Sequence, residues 1–348
     1  IKSNGRADYR SQDRITTVEK DQEIAEILPP QEEAEDGWDI SGKTLSAKET
    51  KAIAVEIGKN IKQQESENGV IKLFAECEGQ LYYDGKKIYV DQTYNLKGNV
   101  DLQCGNIKFP GSVYVTGSVT SGFYIVAGGE IKIGEGVEAA LLSAEDDIII
   151  KQGVKGAGKA VLRSKKRVAA QFVEQATVLA VGEVQIKNSC VRGNIKTNEK
   201  LRLNGDKSTI LGGHIRAKQG IEVNNIGSQR GIKTEICFGQ NYLIADQIEI
   251  EQKQIEKLKN RQVQLDNEMR KKENITNRAE LERLRKEKVR LLKIIEKRNL
   301  RLFTLRERFE EHFEGSEIVV RGTIYPGVVI ESHGRNMEIS SPKKSIAI

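Results

Sequence analysis

Residues 125 to 150 read IVAGGEIKIGEGVEAALLSAEDDIII, and within them one short pattern occurs twice: a polar residue, then apolar, variable, apolar. The copies are Glu130-Ile131-Lys132-Ile133 and Asp147-Ile148-Ile149-Ile150. Period-2 alternation puts Ile131 and Ile133 on one face of a short strand and points Lys132 out. Working outward, the pattern recurs at Asn106-Ile107-Lys108-Phe109, Arg167-Val168-Ala169-Ala170, Glu183-Val184-Gln185-Ile186, Lys200-Leu201-Arg202-Leu203 and Gly220-Ile221-Glu222-Val223. Its first apolar position advances by 24, 17, 20, 16, 17 and 20 residues, which is one solenoid rung per repeat. Further apolar pieces within each rung, such as Val113-Tyr114-Val115 and Val191, are set off by Gly or Asn. Of the chain's 32 glycines, 20 fall between 98 and 236, where they supply the tight corners between strands. Like strands stack one above the next, so the sheets are parallel, and the chirality of parallel crossovers favours a right-handed coil. Only 5% of the residues are aromatic and five are proline, as a narrow core of stacked Ile, Val and Ala requires. Such a stack needs caps, and the residues before 98 are expected to provide one.

Beyond about Asn241 the apolar period changes to 3.5. Ile248, Ile255, Leu258, Leu265 and Met269 form one seam, and Leu281, Leu284, Leu291, Ile295, Leu302, Leu305 and Phe309 form another. Glu273-Asn274-Ile275-Thr276-Asn277 carries the turn and N-cap residues that end one helix and start the next. The expectation is an antiparallel coiled-coil hairpin. After it, Glu317-Ile318-Val319-Val320 and Asn336-Met337-Glu338-Ile339 return to the rung pattern, so the hairpin is an insertion between rungs. Before the solenoid, a Pro29-Pro30 break, an acidic loop (Glu32, Glu33, Glu35, Asp36) and strand-like runs at 70 to 74 and 87 to 90 suggest a small mixed β/α domain. The fold expected is mainly β: a right-handed parallel β-helix over 96–240 and 315–348, the hairpin over 241–314, and the small β/α domain over 1–95. The chain starts at Ile1, so an N-terminal part is expected to precede it.

Composition narrows the function classes. No run of 18 apolar residues occurs, and the opening IKSNGRADYRSQDR is polar, unlike a secretory signal. Cys77, Cys104, Cys190 and Cys237 are far apart, with no CxxC, which argues against a zinc site or a disulfide framework. His214, His312 and His333 have no companion at ligand spacing. Gly153-Val154-Lys155-Gly156-Ala157-Gly158-Lys159 is glycine-rich, but a phosphate cradle requires a strand-to-helix context and this run lies among solenoid turns. No cofactor or metal is expected.

Two charge patterns remain. Aligned rungs stack Glu130, Asp147, Arg167, Glu183 and Lys200, a mostly alternating ladder of the kind a solvated strand edge favours. Glu130 beside Asp147 breaks the alternation. As a carboxylate pair these two are the alternative site, for a carbohydrate-binding or carbohydrate-active solenoid. The second pattern is the hairpin's second helix, where residues 278 to 308 hold twelve Lys or Arg against five Glu. Arg283, Arg285, Lys286, Lys288, Arg290, Lys293, Lys297 and Arg298 are its candidate partner-binding residues. The competing explanation is a solvated coiled-coil face. Aromatic interleaving is missing there, so no nucleic acid is expected.

The run GNVDLQCGNIKFPGSVYVTGSVTSGFYIVAGGEIKIGEGVEAA at 98 to 140 resembles the signature of the flagellar assembly protein A family. The similarity continues through Gly153-Val154-Lys155-Gly156, Gly212-Gly213 and Gly227-Ser228, and upstream through VEKDQEIAEILPP and DGWDISGKTL. Asp21 stands where that family usually carries Gly. The resemblance implies a right-handed β-helix with a coiled-coil arm and an N-terminal swivelling β/α domain, in a cytoplasmic bacterial protein tied to polar flagellum assembly. For at least one branch of the family it also implies a link to the sugar phosphotransferase system through binding of a sugar-specific carrier protein. No catalytic residue is carried over, because the family's motifs are glycines and apolar residues that specify rungs. The expected function is that of a non-enzymatic scaffold that binds protein partners, with a homodimer plausible through solenoid ends or coiled coils.

Overall fold

The computed structural model describes residues 15–29, 36–46, 55–66, 69–272, 278–311 and 315–348. Pro30, the acidic residues Glu32, Glu33 and Glu35, the expected turn at 273–277 and His312 lie outside them.

Parallel strands stack in register from Thr93–Leu96 to Val328–Ser332. Three apolar columns run the length of the stack. In the first, Val113, Ile131, Ile148, Val168, Val184, Leu201, Ile221 and Ile318 lie one above another. The second holds Ile107, Ile125, Leu142, Leu162, Val178, Ile195, Ile215, Ile236 and Ile330. Val100, Val119, Val137, Val154, Val173, Cys190, Ile210, Ile226 and Ile324 make the third. All of these side chains are buried in one continuous cluster. Branched aliphatics fit because a strand repeats its neighbour's side chain directly above it, and β-branched residues fill that spacing without changing rotamer. Cys190 takes its place as a small apolar residue, and burial pushes its thiol up to about 12.

One rung is registered differently from the expectation. Ile107 pairs with Ile125, not with Ile131, so Asn106-Ile107-Lys108-Phe109 belongs to the second column. The true first-column partner of Ile131 is Val113, 18 residues earlier, which removes the anomalous advance of 24. Both columns use the same apolar-variable-apolar code, so alternation alone does not tell them apart.

The end of the stack also departs from expectation. Glu317–Ile324 and Val328–Ser332 are parallel rungs, but Arg335–Glu338 runs antiparallel to the latter and Lys343–Ala347 antiparallel to the former. Residues 336–339 are therefore part of a cap, not a further rung. His333 (φ 52°) and Gly334 (φ 74°) both take left-handed conformations, which reverses the chain in a two-residue hairpin turn. The two antiparallel strands cover the edge of the last coil, and Ile339 (1% exposed) plugs its core.

The hairpin consists of α1 (Tyr242–Lys272) and α2 (Arg278–Glu310), between the strand Thr234–Phe238 and the strand Glu317–Ile324. The stack continues across it, because Gly220–Val223 pairs directly with the first residues of Glu317–Ile324. Gly220 makes this possible: its φ is +104° and a Cβ there would lie 1.9 Å from the Glu317 carbonyl oxygen.

Before the stack, the described residues form small sheets. Thr17–Val18, Gly79–Tyr83, Lys87–Asp91 and Glu56–Ile57 make one, and Glu23–Ile27, Ile71–Ala75 and Ile61–Glu65 another. Among the described residues this region holds strands and no helix, and residues 1–14, 30–35, 47–54 and 67–68 of the expected mixed β/α domain lie outside them. Ile15, Tyr94, Leu96 and Cys104 pack onto the first coil. Asp21 has φ 62°, the left-handed geometry that a glycine adopts freely.

Candidate binding surface on the ladder and the arm

The outward face of the first column is an ion-pair ladder. Arg167 donates to Asp147 at 2.9 Å from its guanidinium and at 3.0 Å from its backbone N–H. Lys132 meets Glu130 at 2.6 Å, and the Tyr114 hydroxyl donates to the same carboxylate at 3.3 Å. Arg202 bridges Glu183 at 2.5 Å and Glu222 at 3.4 Å, while Lys200 reaches Glu222 at 3.2 Å and Glu317 at 3.4 Å. Burial works to raise the Glu222 carboxyl, but the Lys200 hydrogen bond and the Arg202 and Lys200 charges outweigh it and hold it below the usual range. The last contact of Lys200 spans the insertion, so the ladder, like the core, continues past the arm.

Glu130 and Asp147 thus each own a cation, which leaves neither as a free member of a carboxylate pair. His214 is likewise occupied: its Nδ1 lies 2.7 Å from Glu235, whose carboxyl is held low first by its hydrogen bond from Lys233. Residues 153 to 159 lie in the strand Gly153–Ser164, which pairs in parallel with Val168–Ala180. No helix follows them, so they offer no phosphate cradle. Among the described residues no three His, Cys, Asp or Glu side chains converge as metal ligands.

The arm is built on a strict heptad. On α1 the seam runs Ile248, Glu251, Ile255, Leu258, Gln262, Leu265, Met269, and on α2 Leu284, Lys288, Leu291, Ile295, Arg298, Leu302, Leu305, Phe309. Ile255, Leu265, Leu284, Leu291, Ile295 and Leu305 are buried. Three seam positions are charged, and two of them answer one another. Arg298 donates to Glu251 at 2.8 Å, and Glu251 is only 5% exposed. Arg301 approaches the same carboxylate at 3.4 Å, and Lys288 pairs with Asp266 at 2.6 Å. Polar pairs inside a coiled coil fix the register of the two helices. At the root, Lys196, buried in the stack, meets Asp246 of α1 at 2.5 Å. The Tyr242 hydroxyl donates to the Phe238 carbonyl at 2.9 Å, and its ring packs edge-on against Phe309 at 6.3 Å. Burial pushes the Tyr242 hydroxyl well above its ordinary value, so it remains a donor.

Residues 1–86 match the model of the Flagellar Assembly Protein A N-terminal region, and residues 92–348 match that of the Flagellar Assembly Protein A beta solenoid domain. The chain belongs to the flagellar assembly protein A family. No curated protein and no solved structure matches it. The solenoid-domain match of this flagellar assembly protein A member opens beside its first rung, Thr93–Leu96, and includes the arm. Among the described residues no helix is long and apolar enough to cross a membrane.

The geometry divides the eight basic residues singled out on the family member's α2. Lys288 and Arg298 sit in the seam and pair with Asp266 and Glu251 of α1, a role that a pattern of apolar positions does not carry. Arg283, Arg285, Lys286, Arg290, Lys293 and Lys297 are exposed. At 100° per residue Arg285 falls apart from the rest, and the other five line one flank of the helix.

Proposed function

We propose that this chain is a non-enzymatic scaffold that acts in flagellar assembly by binding protein partners through its arm. The solenoid is the frame. Its support is the contrast in how charge is used: the ladder of the stack pairs its charges within or between rungs, whereas among the described residues five exposed cations of α2 make no seam or ladder contact. The arm adds nothing to the three columns of the core, yet Lys196, Asp246, Tyr242 and Phe309 hold its root in a defined direction. Its helices reach about 50 Å from that root at 1.5 Å per residue. A carrier protein of the sugar phosphotransferase system, or a flagellar or polar assembly factor, is the kind of partner proposed, in a cytoplasmic setting with recruitment to the cell pole.

The test is excision. Ala217 stacks on Phe238 and Gly220 on Glu317, so the coil below shows how many residues the corner needs. Gly239 already follows Lys218, its N–H donating to the Lys218 carbonyl at 3.0 Å. Removing 241–316 leaves Gly239-Gln240 in place of Lys218-Gln219. This variant is expected to fold with an intact stack and to fail to restore swimming. Glu130→Ala with Asp147→Ala is expected to leave swimming unchanged. Swimming lost only with the carboxylate pair would replace the scaffold by the carbohydrate-directed reading.

A further inference from the structure

We propose that the outer surface of α2 docks an acidic amphipathic helix of a partner protein. The proposal rests on the scaffold reading above and names the chemistry of what the arm binds. A second apolar stripe, separate from the seam, runs along the helix: Val289, Leu292, Leu300 and Phe303 are 53%, 41%, 68% and 59% exposed. Their spacing of 3, 8 and 3 keeps them on one face, about 130° around the helix from the seam. On the next face the cations Arg283, Lys286, Arg290, Lys293, Lys297 and Arg301 recur every three or four residues. That row spans about 27 Å at 1.5 Å per residue and contains no carboxylate. Arg301 also reaches into the arm, to Glu251.

An apolar stripe bordered by one sign of charge is the form an interacting helix takes when it lies along another: apolar anchors at i, i+3, i+4 and i+7 cover the stripe, and the charge on the flank sets the partner and its orientation. The complement is a helix with Leu-like anchors and Asp or Glu on one flank. Two other occupants fit less well. Lipid would have to immerse the Glu296 carboxylate, which interrupts the stripe between Leu292 and Leu300, whereas a helix can set a polar side chain opposite it. A second copy of α2 would bring two cation rows together.

The probe is a synthetic 25-residue helical peptide with Leu at heptad a and d and Glu at e and g, titrated against the full chain. A peptide with Lys replacing Glu, vesicles of phosphatidylserine and phosphatidylcholine, and the oligomeric state by sedimentation are measured alongside. The Glu peptide is expected to bind and the Lys peptide not. Binding should weaken at least tenfold in Leu300→Ser/Phe303→Ser, and again in Lys286→Glu/Arg290→Glu/Lys293→Glu, and should fall with salt. All these positions are exposed, so helicity and melting temperature serve as the folding control. No binding of the Glu peptide, binding indifferent to both variants, or vesicle binding or dimerisation lost with Leu300→Ser/Phe303→Ser would overturn the proposal. In cells the two readings separate: swimming that survives arm excision defeats the scaffold reading, whereas swimming lost on excision but retained in both surface variants defeats only this one.

Discussion

The stack and the arm solve the same packing problem in opposite ways. In the stack, the apolar side chains of the three columns rest on near copies of themselves, and the charges of the outward ladder meet opposite charges in the same or a neighbouring rung. In the arm, two charges, Glu251 and Arg298, are drawn into the seam, while aliphatic and aromatic side chains such as Leu300 and Phe303 are left outside. A surface that satisfies itself is a frame. An exposed apolar stripe beside a row of like charges is the form that an interaction surface takes.

Substitutions in each region test that contrast. The largest effect is expected in the columns: Leu162→Ala removes a fully buried side chain between two fixed neighbours and should cost about 3–4 kcal/mol in denaturant titration. A stack that repacked around the gap at under 1 kcal/mol would show its core to be fluid. Next comes the corner where the chain re-enters. Gly220→Ala places a methyl against the Glu317 carbonyl at a positive φ and should cost about 2–3 kcal/mol, read as loss of amide protection in 317–332 before the coils below open.

Arg298→Ala leaves the buried Glu251 carboxylate with Arg301 alone and should weaken the hairpin by about 2 kcal/mol, the penalty for an uncompensated charge reduced by the partial exposure of the arginine. The loss should appear in the helical signal and leave the stack's melting unchanged. Asp21→Gly relieves left-handed strain and should stabilise the N-terminal sheets by about 1 kcal/mol. The smallest effect is electrostatic. The Glu222 carboxyl is held low in the fold, so its contribution is complete above the unfolded value of about 4.3 and is lost as pH falls through the folded value. The difference in stability between wild type and Glu222→Gln, under about 1 kcal/mol at pH 7, should therefore shrink towards pH 3 and in high salt.

Much of the frame is legible in residue order. From Ile131 to Ile221 the advance of the apolar pair matches the observed stacking rung for rung, and the return of the pattern at Ile318 marks the insertion correctly. What escapes is what alternation does not encode. Ile107 and Val113 carry the same pattern in different columns, so only the pairing separates them. Direction is equally silent: Asn336 to Ile339 looks like a rung, and the signal that reverses it is the His333-Gly334 pair just before. On the arm, an apolar count cannot see Glu251, Lys288 and Arg298 as seam residues. A heptad written through every position, charged ones included, places Lys288 and Arg298 in the seam.

Whether frame and arm separate in function is tested most directly by the diameter of the swimming halo restored by the chain lacking 241–316, in cells without the native protein. The expected result is no halo from a variant whose stack melts as in the wild type. A full halo would contradict the account and return the function to the solenoid or to the sheets before it.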